Sequence, residues 1–318
     1  MVIKVSEKVL RGGPPRLRRR NKYIMGLPLL LLTLPGIVYL IMFHYIPMFG
    51  VVIAFKDTDY TRGILGGDWI GLENFKFFFT SRDAGRVIFS TVAYSIWFYV
   101  VATFFAILIA LLLFEVTHKR WLKYFQTTMA LPSMISWIII AYIVYALLST
   151  DHGVINNILV KFGAEPINWY TSPGKWPAIL TIVRVWQGVG MNCVVYYAAL
   201  MGLDESLFEA ARLDGASRIK QIWYISLPSI MPVLSVMTIL EMGSVMSGNT
   251  GIFYQVTMNS PALYPTTDII NTYILRGIQD GMTGVTAAVG LFQNVVGCIL
   301  LILTNTIIRR VSPENAMF

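Results

Sequence analysis

The sequence predicts an all-α membrane protein with six transmembrane helices, and three observations carry that prediction. Hydrophobic residues fill 56% of the 318 positions and charged residues only 13%, with a mean hydropathy of +0.63. Soluble domains carry about a quarter charged residues. The apolar residues come in runs of about twenty or more, the length needed to cross about 30 Å of hydrocarbon. Lys and Arg are distributed unevenly between those runs, as membrane topology requires.

Six spans follow in order, near residues 26–47, 87–114, 125–148, 179–199, 226–246 and 286–308. The first follows a polar head and lacks a small-residue cleavage site, so it reads as an anchor and not as a cleaved signal peptide. The second and third are almost purely apolar. The fourth carries Arg184 and the fifth Glu241; the sixth ends on Arg309 and Arg310. Barrel strands would be shorter and would alternate, so helices are the consistent choice. The organisation predicted is a basic segment over 1–25, a transmembrane domain over 26–312 and a tail over 313–318.

Orientation follows from the 25 Lys and Arg residues. Sixteen lie in the head (Lys4, Lys8, Arg11, Arg16, Arg18, Arg19, Arg20, Lys22), the second connection (Lys119, Arg120, Lys123), the fourth (Arg212, Arg218, Lys220) and the tail. The longer first, third and fifth connections hold eight, and Arg184 is intramembrane. Both termini are expected on the cytoplasmic side of a bacterial inner membrane. The net charge of +8 is then a topology signal that favours anionic lipid, not a nucleic-acid arm. No interleaved aromatic and basic platform for bases occurs. Cys193 and Cys298 stand alone in apolar runs and read as small buried side chains, not as a disulfide or zinc framework. His44, His118 and His152 are scattered, so no metal site is expected. No G-x-x-x-x-G-K-[ST] segment occurs, so no P-loop nucleotide site is expected in this chain.

The fourth connection, "EAARLDGASRIKQIWYISLP", is richer than a connector needs to be. Gly202 suits the end of the fourth span. Ser206 and Glu209 fit a capping box that opens a short helix through Leu213. Asp214-Gly215 supplies a turn, with glycine accepting positive φ and Asp able to cap the next helix. That second helix carries Ile219, Ile222, Trp223 and Ile225 beside Arg218 and Lys220, and Pro228 is expected to break it before the fifth span. Pattern alone allows a docking knob or an amphipathic hairpin resting on headgroups.

The residues themselves resemble a known family. "EAARLDGAS" followed by "ISLPSIMP" resembles the cytoplasmic loop of permease subunits in binding-protein-dependent ABC importers, whose pattern is E-A-A, three residues, G, then I-x-L-P. "GLENFKFFF" (71–79) is similar to the G-L-x-N-F element of the carbohydrate branch, which includes the maltose importer's permeases. "AAVGLFQNVVG" leading to "TNTIIRR" resembles the last helix of permeases for oligosaccharides from polysaccharide breakdown, uronate and alginate importers among them. The resemblance implies the type I importer permease fold with a cytoplasmic coupling helix. Glu209 would meet a basic residue of an ATPase subunit, Ala210 and Ala211 would permit close approach, and Asp214-Gly215 would make the bend. It also implies the partners: a second homologous permease, two ATPase subunits that hold ATP and Mg, and an extracytoplasmic solute-binding protein. This chain would need no cofactor and perform no covalent chemistry.

A candidate substrate path follows from intramembrane polarity. Arg184 and Glu241 are costly to bury, and at comparable outer-half depth they either pair or face one water-filled cavity. Arg184, Gly188, Asn192 and Tyr196 repeat every four residues on one face, with Trp186 and Gln187 beside it. Gln293 and Asn294 lie on the sixth span, and Ser244 and Ser247 at the end of the fifth. Amide, hydroxyl and aromatic groups suit an oligosaccharide, and an arginine favours an acidic sugar such as a uronate. Gly188 and Gly190 also suit helix crossings. In related importers often one permease alone grips the sugar. Residues 267–278, "TDIINTYILRGI", have helical spacing and are expected to rest on the membrane or receive the binding protein. Two rivals remain at this point: an ion-coupled secondary transporter of small polar solutes, which wants mid-membrane carboxylates, and an intramembrane hydrolase, which wants a base beside a nucleophile.

Overall fold

The computed structural model describes residues 20–58, 61–63 and 66–313; most of the basic head and the last five residues lie outside that set. The chain forms two compact units, divided between Val52 and Ile53. The first holds helix α1 (Arg20–Leu40), which runs through a wide π turn, Ile41–Tyr45, into the short α2 (Ile46–Met48). Its apolar side chains from Leu30 onward are almost all exposed, as befits a lipid-facing anchor.

The second unit is a helical assembly whose spine is α4 (Arg82–Phe114) against α8 (Trp176–Met201). Along α4, Ala102, Ala106 and Ala110 recur every four residues and are buried. Small side chains at that spacing let two backbones approach closely, which is how helices associate where lipid is as apolar as leucine. Cys193, Tyr196 and Leu200 of α8 and Ile230 of α11 (Leu227–Ser244) complete this core. The last span, α14 (Thr283–Val311), crosses α11 where a Cβ on Gly297 would lie 2.6 Å from the Gly243 carbonyl oxygen. Cys193 is buried as expected, but Cys298 is exposed on the outward face of α14.

The G-L-x-N-F element opens α3 (Glu73–Thr80). Gly71 takes φ +61°, and the buried Asn74 amide donates to the carbonyls of Ala54 and Lys56, both at 3.0 Å. Phe78 is buried, its ring tilted against Tyr273 at 5.3 Å between centroids.

Two expectations change. Among the described residues five helices are long and apolar enough to cross a membrane, and the third span, expected unbroken over 125–148, is a bent pair. Helix α5 (Lys119–Ala130), extended by a 3-10 turn to Met134, meets α6 (Trp137–Leu148) at 95°. Pro132 opens the 3-10 turn, and Ser136 in extended conformation caps α6 through Ile139 N–H at 3.4 Å. At 1.5 Å per residue, α6 is about 18 Å long, too short to cross alone. Pro228 does not break the helix either. A π turn, Ile222–Ser226, precedes it, and the span runs on from Arg218 to Ser244. A wide turn absorbs the N–H that proline lacks.

The outer segment after α11 is folded against the spans. A π turn (Gly251–Val256), the single turn α12 (Tyr264–Thr267) and α13 (Ile270–Gln279) bury Ile252, Phe253, Leu263, Ile269 and Ile270. Residues 267–278 therefore pack on α4 and α14 and do not lie free on the membrane. Asp268, whose side chain is fully buried, holds this segment in place. Arg276 Nη2 donates to both its oxygens at 2.8 and 2.7 Å, Thr272 Oγ1 donates at 2.8 Å, and Arg86 of α4 lies 3.5 Å away. Arg276 also sits 4.2 Å over the Tyr264 ring. Outside the spans, a second anchor is α7 (Val154–Lys161), where the buried Asn156 bonds Ile167 in both directions.

Candidate functional site: a clamped elbow and a polar cavity

The elbow begins at Asp204, not Ser206. Asp204 Oδ1 accepts from Ser206 N–H at 3.0 Å and caps α9 (Glu205–Leu213). That bond holds the Asp204 carboxyl below its ordinary range. Ser206 sits inside the first turn, so the cap stands two residues earlier than expected and does not pair with Glu209 in a box. At the other end, Gly215 takes φ +74°, its N–H donates to Arg212 at 3.1 Å, and Ala216 N–H donates to Ala211 at 2.9 Å. This is a Schellman motif, which needs a residue free to adopt a left-handed backbone. Ser217, not Asp214, caps α10 (Arg218–Gln221), through Lys220 N–H at 3.4 Å. Gly202 ends α8 at φ −81°, so no left-handed turn is formed there.

Two contacts clamp the elbow to the end of α4. Phe208, 7% exposed, packs against Phe114 with ring centroids 5.5 Å apart. Arg218 Nη1 lies 2.9 Å from Glu115 Oε2. Buried Gln221 closes the inside of the bend by donating to Ala216 O at 3.0 Å. The face opposite presents Glu209, Ala210, Asp214 and Gly215 to the outside, with Ala211 half-buried and Leu213 89% exposed. Side chains that short leave the α9 backbone approachable, and Leu213 offers an exposed apolar side chain beside them.

The cavity, about 250 Å³, lies between α4, α8 and α11, with Gly248, Asn249, Phe253 and Ile269 of the outer segment over one end. Arg184, Asn192 and Tyr196 reach it from α8 and Glu241 and Ser244 from α11. Arg184 and Glu241 share the cavity without forming an ion pair within 4 Å; Arg184 Nη1 instead donates to Gln187 Oε1 at 3.3 Å. Gln187 thus steers the guanidinium without lining the space. Gly188 does not mark a helix crossing: a Cβ there would strike the Arg184 guanidinium, which folds back along its own helix. Gly190 does mark one, against the Met129 carbonyl of α5. Asn294 is outside the lining; it is exposed and donates to Gly290 O at 2.8 Å. Gln293 is buried on α14 and is also absent from the lining.

Sequence reasoning missed the α4 wall. Thr91, Ser95, Tyr99 and Thr103 line the cavity at four-residue spacing, the same signal used on α8. Tyr99 and Thr238 share a hydroxyl–hydroxyl bond of 2.6 Å across to α11. Phe98 and Phe253, centroids 5.9 Å apart and nearly parallel, give the wall an aromatic face.

An all-helical membrane unit with a clamped elbow and a polar cavity is the architecture of a transport permease, and the comparison with known proteins says which kind. Residues 102–313 match the family model for the binding-protein-dependent transport system inner membrane component, and the chain belongs to that family. It is 34% identical over 303 residues to the polygalacturonan/rhamnogalacturonan transport system permease protein YteP of Bacillus subtilis (strain 168), covering 94% of this chain and 93% of that one. Protein LplB of the same organism is 33% identical over 298 residues, covering 93% and 92%. A chain in a crystal structure of a bacterial ABC transporter involved in the import of the acidic polysaccharide alginate superposes with a TM-score of 0.84 at 31% identity, covering 92% of this chain and 99% of that one. The same holds for a complex of a bacterial alginate ABC transporter with its alginate pentasaccharide-bound periplasmic protein, at a TM-score of 0.83 and 30% identity over 93% and 98%. The chain is therefore a multi-pass ABC importer permease, and the ion-coupled and hydrolase rivals fall away.

Proposed function

We propose that this permease carries oligosaccharides, uronate-containing ones among them, into a bacterial cytoplasm by alternating access, driven by ATP and Mg on two separate ATPase subunits. The cavity is the observation that carries the substrate class. Hydroxyl and amide groups of Thr91, Ser95, Asn192 and Asn249 match sugar hydroxyls, Phe98 and Phe253 match apolar ring faces, and Arg184 is the one cation among the described residues that line the cavity. The named substrates of the similar proteins, polygalacturonan and alginate, support the same class. Arg184 makes no ion pair with Glu241 within 4 Å and bonds the neutral Gln187 amide, so its guanidinium can turn to a uronate carboxylate. The binding-protein dependence of the family supports an extracytoplasmic solute-binding protein as donor.

In this reading both termini and the elbow are cytoplasmic, as the basic residues argue. Glu209, Ala210, Ala211, Asp214 and Gly215 enter a cleft of the ATPase, and a second homologous permease faces the cavity. The test is uptake by the reconstituted importer of a labelled oligogalacturonide against a neutral oligosaccharide of equal length. Uptake of the acidic sugar that requires ATP, the binding protein and Arg184 is expected; equal uptake of both sugars by wild type and Arg184→Gln refutes the acidic class.

A further inference from the structure

We propose that the outward face of α5 is a docking surface for anionic phospholipid headgroups. Helix α5, residues Lys119–Ala130, has no buried residue. Its inner stripe, Leu122, Gln126 and Met129, is half-buried, and the Met129 carbonyl sits so close to Gly190 of α8 that no side chain fits between them. That contact fixes the rotation of the helix about its own axis. The opposite face is thereby committed outward: Lys119, Arg120 and Lys123 are exposed and, contrary to the expectation that no basic and aromatic residues interleave, Trp121, Tyr124 and Phe125 are exposed among them. Trp121 and Phe125 stack at 6.0 Å, and Trp121 meets Tyr124 edge-on at the same distance.

Three features choose lipid over a protein partner. The helix carries no Asp or Glu, and among the described residues no carboxylate pairs with its three cations within 4 Å. The elbow is different: its exposed residues mix Glu205, Glu209 and Asp214 with Arg212, the composition of a surface that meets protein. Lys119, Arg120 and Lys123 all stand within the first five residues of α5, where the chain enters the bent span from the connection after α4. Tryptophan and tyrosine settle at headgroup depth, and a cluster of Lys and Arg there attracts anionic lipid. An amphipathic helix with a basic polar face is the form such surfaces take. Which leaflet is involved rests on the orientation proposed above; the surface itself does not.

The test uses the whole importer in nanodiscs of phosphatidylcholine and phosphatidylglycerol, with one lipid or the other brominated to quench tryptophan. The component of the fluorescence lost in Trp121→Phe reports α5. Brominated phosphatidylglycerol is expected to quench that component well beyond brominated phosphatidylcholine at equal mole fraction, reflecting on the order of tenfold local enrichment. The triple variant Lys119→Gln, Arg120→Gln, Lys123→Gln is expected to lose the excess while still inserting and assembling. Equal quenching by both lipids overturns the proposal, and so does absence of quenching with crosslinks from α5 to another subunit, which would mean that protein covers the face. Separately, a cysteine at position 119 in a Cys298→Ser background, labelled by a membrane-impermeant reagent from outside the cell, would overturn the orientation and leave the quenching result standing.

Discussion

Arg184 folds its guanidinium over a position where no side chain exists, so a single methyl group suffices to re-aim it. Gly188→Ala is expected to fold normally, because only the end of a flexible chain must move, yet to lose most of the preference for acidic over neutral oligosaccharide in competition uptake. Arg184→Gln should show the same phenotype. Losing one charge-assisted hydrogen bond is worth about 1.5–3 kcal/mol, or roughly tenfold to a hundredfold in that preference. Gly190→Ala should behave oppositely, since there the obstacle is the Met129 backbone. Overpacking of that kind costs about 1–3 kcal/mol, measurable as a lower melting temperature in detergent with substrate preference intact in the surviving fraction. The two glycines are two residues apart and identical to any local pattern. Four-residue spacing made the α8 face legible, but only coordinates show that Gly188 accommodates its own helix and Gly190 another. The same spacing on α4, from Thr91 to Thr103, was equally readable and passes unnoticed because threonine, serine and tyrosine are unremarkable in an apolar span, whereas an arginine is not.

At the level of single elements, the elbow is held by its caps. Gly215→Val places a branched side chain at φ +74° and is expected to cost about 1–2 kcal/mol locally, read out as loss of co-purifying ATPase while membrane insertion persists. Asp204 adds a pH dependence whose sign follows from its bond to Ser206. Its carboxyl is depressed in the folded state, so its contribution is present above the unfolded value of about 3.9 and is lost as pH falls through the lower folded value. Protection of the first turn of α9 from hydrogen exchange, relative to the intrinsic rate at each pH, should therefore fall below about pH 4 in wild type. Asp204→Asn should remove that pH dependence and keep the cap; Asp204→Ala should expose the turn at every pH. The E-A-A, three residues, G pattern made the helix and its bend visible beforehand. The choice of cap was not, because Asp204 and Ser206 are both good cap residues two positions apart. The break between α5 and α6 was written in "LPSMIS" as a proline and a cap serine, but an apolar run on both sides masks it.

On the scale of the molecule, the outer segment is fastened by contacts that no local pattern reveals. Arg86 and Asp268 are 182 residues apart in the chain. Asp268→Ala leaves Arg276 without its carboxylate, while Arg86 keeps Asp83 at 2.7 Å, at a cost of about 3 kcal/mol. The expected result is a lower melting temperature and faster proteolysis of residues 247–285, with the elbow unaffected. Six spans, their order and the membrane setting were readable from composition and runs, because lipid imposes them directly. How the connection over 247–285 folds was not, because its apolar residues are scattered among polar ones and find partners on α4 and α14 only once those helices are in place.

The clamp at Phe114 and Glu115 has a mechanical reach. Helix α4 runs unbroken for 33 residues from that end, which at 1.5 Å each makes a rod about 50 Å long. Tyr99 stands about 22 Å along it, so a tilt of only ten degrees or so, imparted where Phe208 grips, sweeps that hydroxyl by about 4 Å. A displacement that size exceeds the length of a hydrogen bond. A nudge at the base is thus large enough to part the Tyr99 hydroxyl from Thr238 across the cavity.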